Sequence, residues 1–220
     1  MIAVLTCDII ASRTYTDVQR QALDTKLRSA FKAACQALPQ AHADYLSFSI
    51  IQGDEFQFSL QAPRFFYHFL LILRNLFALC GVHPLPLFRS GIGWGTCSIA
   101  SSSNSYQRDG SAYHNSRSAL NSFELPNNKQ RLSSVCMDNP FVANSFNTIL
   151  MFCDNIELGW SERQRFALTY ALQANSIQET ANKMGVSRQN VEKLLKSAKW
   201  DLITESLGYF TAADWIEADA

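Results

Sequence analysis

The chain has 220 residues, 47% of them hydrophobic, and its 19 basic residues balance 19 acidic ones. That length and composition allow one large domain or two modest ones around an ordinary core, with no need of a metal or disulfide staple. Zero net charge excludes a global field that would draw in nucleic acid, so any such contact must come from local charge.

The cysteines, Cys7, Cys35, Cys80, Cys97, Cys136 and Cys153, show no C-x-x-C pair and no zinc spacing. They are read as reduced, mostly buried thiols of a cytoplasmic protein. The start, Met1 to Asp8, lacks the basic residues and cleavage motif of a signal peptide. The greasiest stretch, Phe65 to Leu73, stops at Arg74 and Asn75, far short of the ~20 residues a bilayer requires. No membrane span is expected.

Ile2 to Ile10 is a short apolar run that suits a strand buried on both faces, ending on a carboxylate, Asp8, followed by Ser12 and Arg13. Asp17 to Leu38 has helical spacing, with a stripe of Val18, Ala22, Leu27, Ala30, Phe31 and Ala34, and Pro39 stops it. Tyr45 to Ile51 reads as a strand, Gly53-Asp54 as a tight turn, and Phe56 and Phe58 alternate with polar residues in a return strand. Pro63 opens a second helix that runs to about Cys80, with Gly81 as its stop. Leu87 to Gly95 reads as a fourth strand. The order β-α-β-β-α-β predicts an α+β fold of the ferredoxin-like kind, whose first and third strands pair at the centre. That pairing would bring Asp8 and Asp54 close together. Beyond it, residues 98–109 form a polar loop, and helices are expected over Ser111–Phe123 and Phe141 to about Asn155, with a strand near Arg131–Met137 between them. A domain boundary falls near Leu158-Gly159, giving domains of 1–158 and 159–220.

From Ile177 to Lys196 the spacing predicts a helix-turn-helix. Ala181 is small where helices must approach, Gly185 falls in the turn, and Met184, Val186, Val191 and Leu194 supply apolar contacts. Ser176-x-x-Glu179 and Ser161-x-x-Gln164 have capping-box spacing, and Ser187 can cap the second helix. Arg188, Gln189, Lys193 and Lys196 would share the exposed face of that helix, as a recognition helix in a major groove requires. Between Trp160 and Trp200 seven Lys/Arg face three Asp/Glu, a local net of +4, while the tail beyond Trp200 is acidic. A helical module for protein contact is the rival reading.

Divalent cations such as Mg²⁺ take hard oxygen ligands, usually one or two carboxylates plus substrate phosphates. Asp8, Asp54 and Glu55, with the backbone carbonyl of Ile9, offer such a set. A carboxylate at a strand end and an aspartate in a hairpin also occur for purely local reasons.

Three segments, in order, resemble the nucleotide-cyclase and GGDEF palm superfamily. Val4-Leu-Thr-Cys-Asp8-Ile-Ile is similar to the first metal-binding strand of class III cyclases, and Gln52-Gly-Asp-Glu-Phe56 to the GGDEF hairpin, with Gln52 in place of the first glycine. Phe88-Arg-Ser-Gly-Ile-Gly-Trp-Gly95 is similar to the glycine-bearing strand that follows, and Gly110-Ser-Ala-Tyr to the start of the cyclase helix that supplies an Asn and an Arg. With the C-terminal helix-turn-helix, the chain most resembles the SatD family, from the first strand to Trp200.

The resemblance implies a palm-like domain holding Mg²⁺ or Mn²⁺ at Asp8, Ile9, Asp54 and Glu55, and a nucleotide at Ser12, Arg13, Gly53 and Arg117. The cyclase Asn and Arg positions hold His114 and Ser118, with Asn115 and Arg117 out of register. His114 is read as a surface histidine, its alternative being a phosphate contact. The leading expectation is a nucleotide-responsive DNA-binding protein. A divergent nucleotidyl cyclase or nucleotidyltransferase, and a palm kept as a dimerisation scaffold, are the alternatives. A homodimer is expected, with the aromatic segment Phe65–Phe69 as a contact surface.

Overall fold

A computed structural model describes residues 1–41, 43, 48–97, 108–125, 131–173 and 176–212, with residue 52 described by its backbone alone. Residues 98–107 of the expected polar loop, residues 45–47 of the expected strand and the acidic residues past 212 lie outside the described residues.

The described chain is a mixed α+β structure with a five-stranded sheet. Its strands are β1 (Ile2–Ile9), β2 (Ser49–Gln52), β3 (Glu55–Leu60), β4 (Phe88–Gly95) and β5 (Ser133–Cys136), in the order β2-β3-β1-β4-β5. β1 pairs antiparallel with both β3 and β4, and β5 joins β4 in parallel. The first and third strands therefore meet inside the sheet.

Alternation along β1 divides its environment. Ala3, Leu5, Cys7 and Ile9 enter the hydrophobic core beneath α1 (Asp17–Ala37) and α2 (Phe66–Ala78). Thr6 looks the other way, toward α3 (Ser111–Asn121), where its Oγ1 lies 2.9 Å from Ser116 Oγ. Asp8 shares that parity.

α1 begins with a reciprocal capping box between Thr16 and Gln19 and buries Leu23, Leu27, Ala30, Phe31 and Ala34. Val18, expected in the stripe, is 77% exposed, because the first turn of α1 projects past the core. α2 follows a single 3₁₀ turn, Pro63–Phe65. Its aromatic segment is core, not a contact surface: Phe66, Tyr67 and Phe69 are fully buried. The helix has α1, α5 (Glu162–Ala171) and α8 (Trp200–Thr211) around it as well as the sheet, so one apolar stripe would not cover its contacts.

α4 (Pro140–Leu158) packs beside β5 after an Asn139 cap, and α6 (Ile177–Met184) and α7 (Arg188–Ser197) follow α5. α8 then turns back onto the sheet domain, where Phe210 stacks edge-on against Phe66, Tyr67 and Phe146. One hydrophobic cluster runs from β1 to Phe210. All six cysteines are free, but only Cys7 and Cys153 are buried, the other four being half-exposed at element ends. Among the described residues no helix is long and apolar enough to cross a membrane.

Candidate functional site

Antiparallel pairing sets Asp8 opposite Glu55 on β3 and opposite Arg89 on β4. Gly53, at φ +60°, makes the β2–β3 turn with Asp54, and the backbone N–H of Ile9 donates to the Asp54 carbonyl at 3.1 Å. Asp8 and Asp54 thus sit at the same end of neighbouring strands. They are close enough to feel one another: the Asp8 carboxyl is pushed up to about 6, by burial first, then by Asp54, with Arg89 opposing and Glu55 adding a little.

Each remaining member of the expected set has a defined place. The Ser12 hydroxyl donates to Asp54 Oδ2. Arg117 reaches from α3 to grip Glu55 with two parallel bonds of 2.6 Å, and this pairing holds the guanidinium further into its charged form. With Glu55 so engaged, the carboxylates that remain for a cation are Asp8 and Asp54. Among the described residues no three His, Cys, Asp or Glu side chains form a metal-ligand group. Two carboxylates fit a cation that arrives with phosphate oxygens of its own, as Mg²⁺ commonly does, rather than an all-protein cage.

Two cavities flank the pair. One of about 350 Å³ lies between α1 and the hairpin, lined by Ser12, Arg13, Arg20, Leu23, Ile50 and Asp54 among others. The other, about 260 Å³, lies on the α3 side and includes Asp8, Glu55, Arg89 and Arg117. Arg20 and Arg89 went unnoticed in the sequence. Arg89 could have been found from parity, since it stands two residues before Gly91 and faces Asp8 once β1 and β4 are paired. Arg20 had no such signal, because only the packing of α1 brings it to the hairpin. His114 is 75% exposed with Nε2 3.0 Å from Asp109, as a surface histidine would be.

The second expected site is on α7. Gly185 ends α6 at φ +64°, and Ser187 caps α7 by accepting from the Asn190 N–H. Ser161 forms its reciprocal box with Gln164, whereas Ser176 accepts from the Glu179 N–H while the Glu179 carboxylate lies 2.9 Å from Lys183. Val191 is buried and Met184, Val186 and Leu194 are partly buried against the core, as expected, with Leu195 buried beside them. Arg188, Gln189, Lys193 and Lys196 are all exposed on α7, Arg188 being paired with Glu192 at 2.8 Å.

A buried ionic cluster, not foreseen, joins these parts. Glu157 lies between two guanidiniums, 3.1 Å from Arg74 and 3.5 Å from Arg165, and Arg165 also donates to Asn75 at 3.0 Å. The hint in the sequence was Arg74-Asn75 inside an otherwise apolar helix.

No curated protein matches the chain. A family model described as the SatD family matches residues 1–205, so the chain belongs to that family.

Proposed function

We propose that this member of the SatD family is a nucleotide-responsive DNA-binding protein, in which a palm-like domain takes a nucleotide with Mg²⁺ or Mn²⁺ and biases a C-terminal helix-turn-helix. The observation that carries this is that Asp8 and Asp54 stand at the same end of neighbouring strands, Ser12 donating to Asp54, with Asp54, Arg13 and Arg20 lining one flanking cavity and Asp8 and Arg89 the other. Carboxylates for a cation beside guanidiniums for phosphates are the chemistry a metal–triphosphate needs. The strand order β2-β3-β1-β4, with α1 and α2 over one face, supports the ferredoxin-like assignment.

In this reading Asp8 and Asp54 hold the cation, which neutralises phosphate charge when bound. Ser12 orients Asp54, and Gly53 lets backbone approach the ligand. Arg117 fixes Glu55. DNA would be met by Arg188, Gln189, Lys193 and Lys196, and Arg165 ties the first helix of that unit to α2 through Asn75.

The test is thermal denaturation of the full chain with each nucleoside triphosphate and Mg²⁺ or Mn²⁺, paired with DNA binding at several salt concentrations. A ligand at about a hundred times its Kd adds about 2.7 kcal/mol, or roughly 5–10 °C in Tm for a chain of this size. The same nucleotide should change DNA affinity, and Ala at 188, 193 and 196 should lower that affinity and flatten its salt dependence. Release of pyrophosphate would favour the divergent-cyclase alternative. No thermal shift with any triphosphate would leave the palm as a scaffold.

A further inference from the structure

An exposed helix face is ordinarily rich in charge, and α4 departs from that. Over Pro140–Leu158 its ionised groups are Asp154 and Glu157, both buried, and it contains no Lys or Arg. Its outer face instead presents Phe141 at 79% exposure and Phe152 at 63%, with Thr148, Met151 and Asn155 between and beside them. α8 lies alongside, running antiparallel: Cys153 Sγ is 3.3 Å from Ser206 Oγ, and the Phe146 and Tyr209 rings are 5.9 Å apart. Leu202 and Tyr209, on either side of Ser206, line the edge of α8 that borders α4 and remain exposed.

We infer that this α4–α8 seam is where two copies of the chain meet across a two-fold axis. A two-fold contact sets a surface against itself, so any net charge on it meets its own sign. The outer face of α4 carries none. An acidic or basic partner, nucleic acid included, would find no complementary charge there. Of the exposed carboxylates of α8, Asp201 lies about 80–100° around the helix from Leu202 and Tyr209, outside the seam, whereas Glu205, about 40–60° from them, borders it.

Size also fits. A 19-residue helix is about 28 Å long, and two helices side by side are roughly 20 Å across. That footprint, at most about 560 Å², is at the small end of what each partner of a specific interface contributes, which suits a weak, concentration-dependent dimer. Two α4–α8 pairs stacked this way make a four-helix layer. Association through α4 and α8 requires no nucleotide. The aromatic residues Phe66, Tyr67 and Phe69 of α2, being fully buried, are not open to a second copy.

Light scattering of the full chain, from low to high micromolar, should show the mass rise toward twice the 24.7 kDa of one chain. Phe152→Glu places a carboxylate in the seam and should weaken association by more than about tenfold. Val18→Glu, on the outer face of α1 at 77% exposure, should leave association unchanged. Hydrogen exchange of the unmodified chain, slower over α4 and α8 at the higher concentration, reports the seam without relying on a variant that must fold. A monomer throughout the range, a Phe152→Glu chain that still dimerises, or exchange over α4 that ignores concentration would overturn the inference.

Discussion

Asp8 is a carboxylate whose surroundings work against its charge. Burial, then Asp54, raise it to about 6 from an ordinary 3.8, although Arg89 across the strand pulls the other way. Since the folded value is the higher one, the stability it contributes is full below 3.8 and is lost as pH rises through about 6. Asp154 in the buried cluster is also raised to about 6, chiefly by burial, and falls in the same window. Asp8→Asn should therefore match wild type in acid, exceed it in stability at neutral pH, and lose the thermal shift with Mg²⁺-nucleotide. Urea denaturation across that pH range checks the first part; parallel curves for the two chains would mean that ionised Asp8 is not strained. At this scale Asp8 and Asp54 were legible because each ends or turns a recognisable strand. The pairing of Glu55 with Arg117 was not, because a contact between residues 62 positions apart depends on where α3 lands.

The landing of α3 is decided by glycine. Gly91, Gly93 and Gly95 share one face of β4, and α3 lies so close to it that a Cβ on Gly93 would collide with the backbone of Ala112 and Ser116. The repeat is plain in the sequence as a glycine-bearing strand, but nothing local says that a helix, rather than a ligand or another strand, fills the space. Helices with one apolar face and a proline stop, such as α1, were equally legible. α2 departs from the expectation because a hydrophobic surplus looks the same in sequence whether it meets a second copy or its own neighbours on every side. Gly93→Ala should cost about 1–3 kcal/mol as α3 is pushed off the strand. Gly208→Ala in α8, with nothing within 4 Å of the added carbon, should be neutral or stabilising by up to about 1 kcal/mol. Urea midpoints of the two variants check this, and equal midpoints would mean that α3 shifts freely.

Across the whole molecule, the sheet and the helices that follow it meet through apolar and ionic contacts together. Phe210 closes over Phe66 and Phe146, Trp160 donates through Nε1 to the Ala198 carbonyl at 3.0 Å, and Glu157 stands between Arg74 and Arg165. Arg74 further donates to Ser133 and Ser90, which anchors α2 to β5 and β4, while Asp154 accepts the backbone N–H groups of Leu132 and Ser133. A charge buried this deeply is retained only while its counter-charge is present. Removing Glu157 leaves the desolvated Arg165 guanidinium without its counter-charge and Arg74 with only Asp154, 3.9 Å away, and Arg165 is already drawn toward its neutral form by burial. Glu157→Ala should then cost about 3–5 kcal/mol, a fall of roughly 6–20 °C in Tm for a chain of this length. Because Glu157 serves α2 and α5 at once, the loss should be felt on both sides. Backbone and aromatic circular dichroism should still report one coincident transition, moved to lower temperature. A split transition, with the helical end melting first and the sheet unmoved, would instead show that residues after 158 fold as a unit of their own. Any nucleotide effect on DNA binding would then need a route other than the Arg74–Glu157–Arg165 contact.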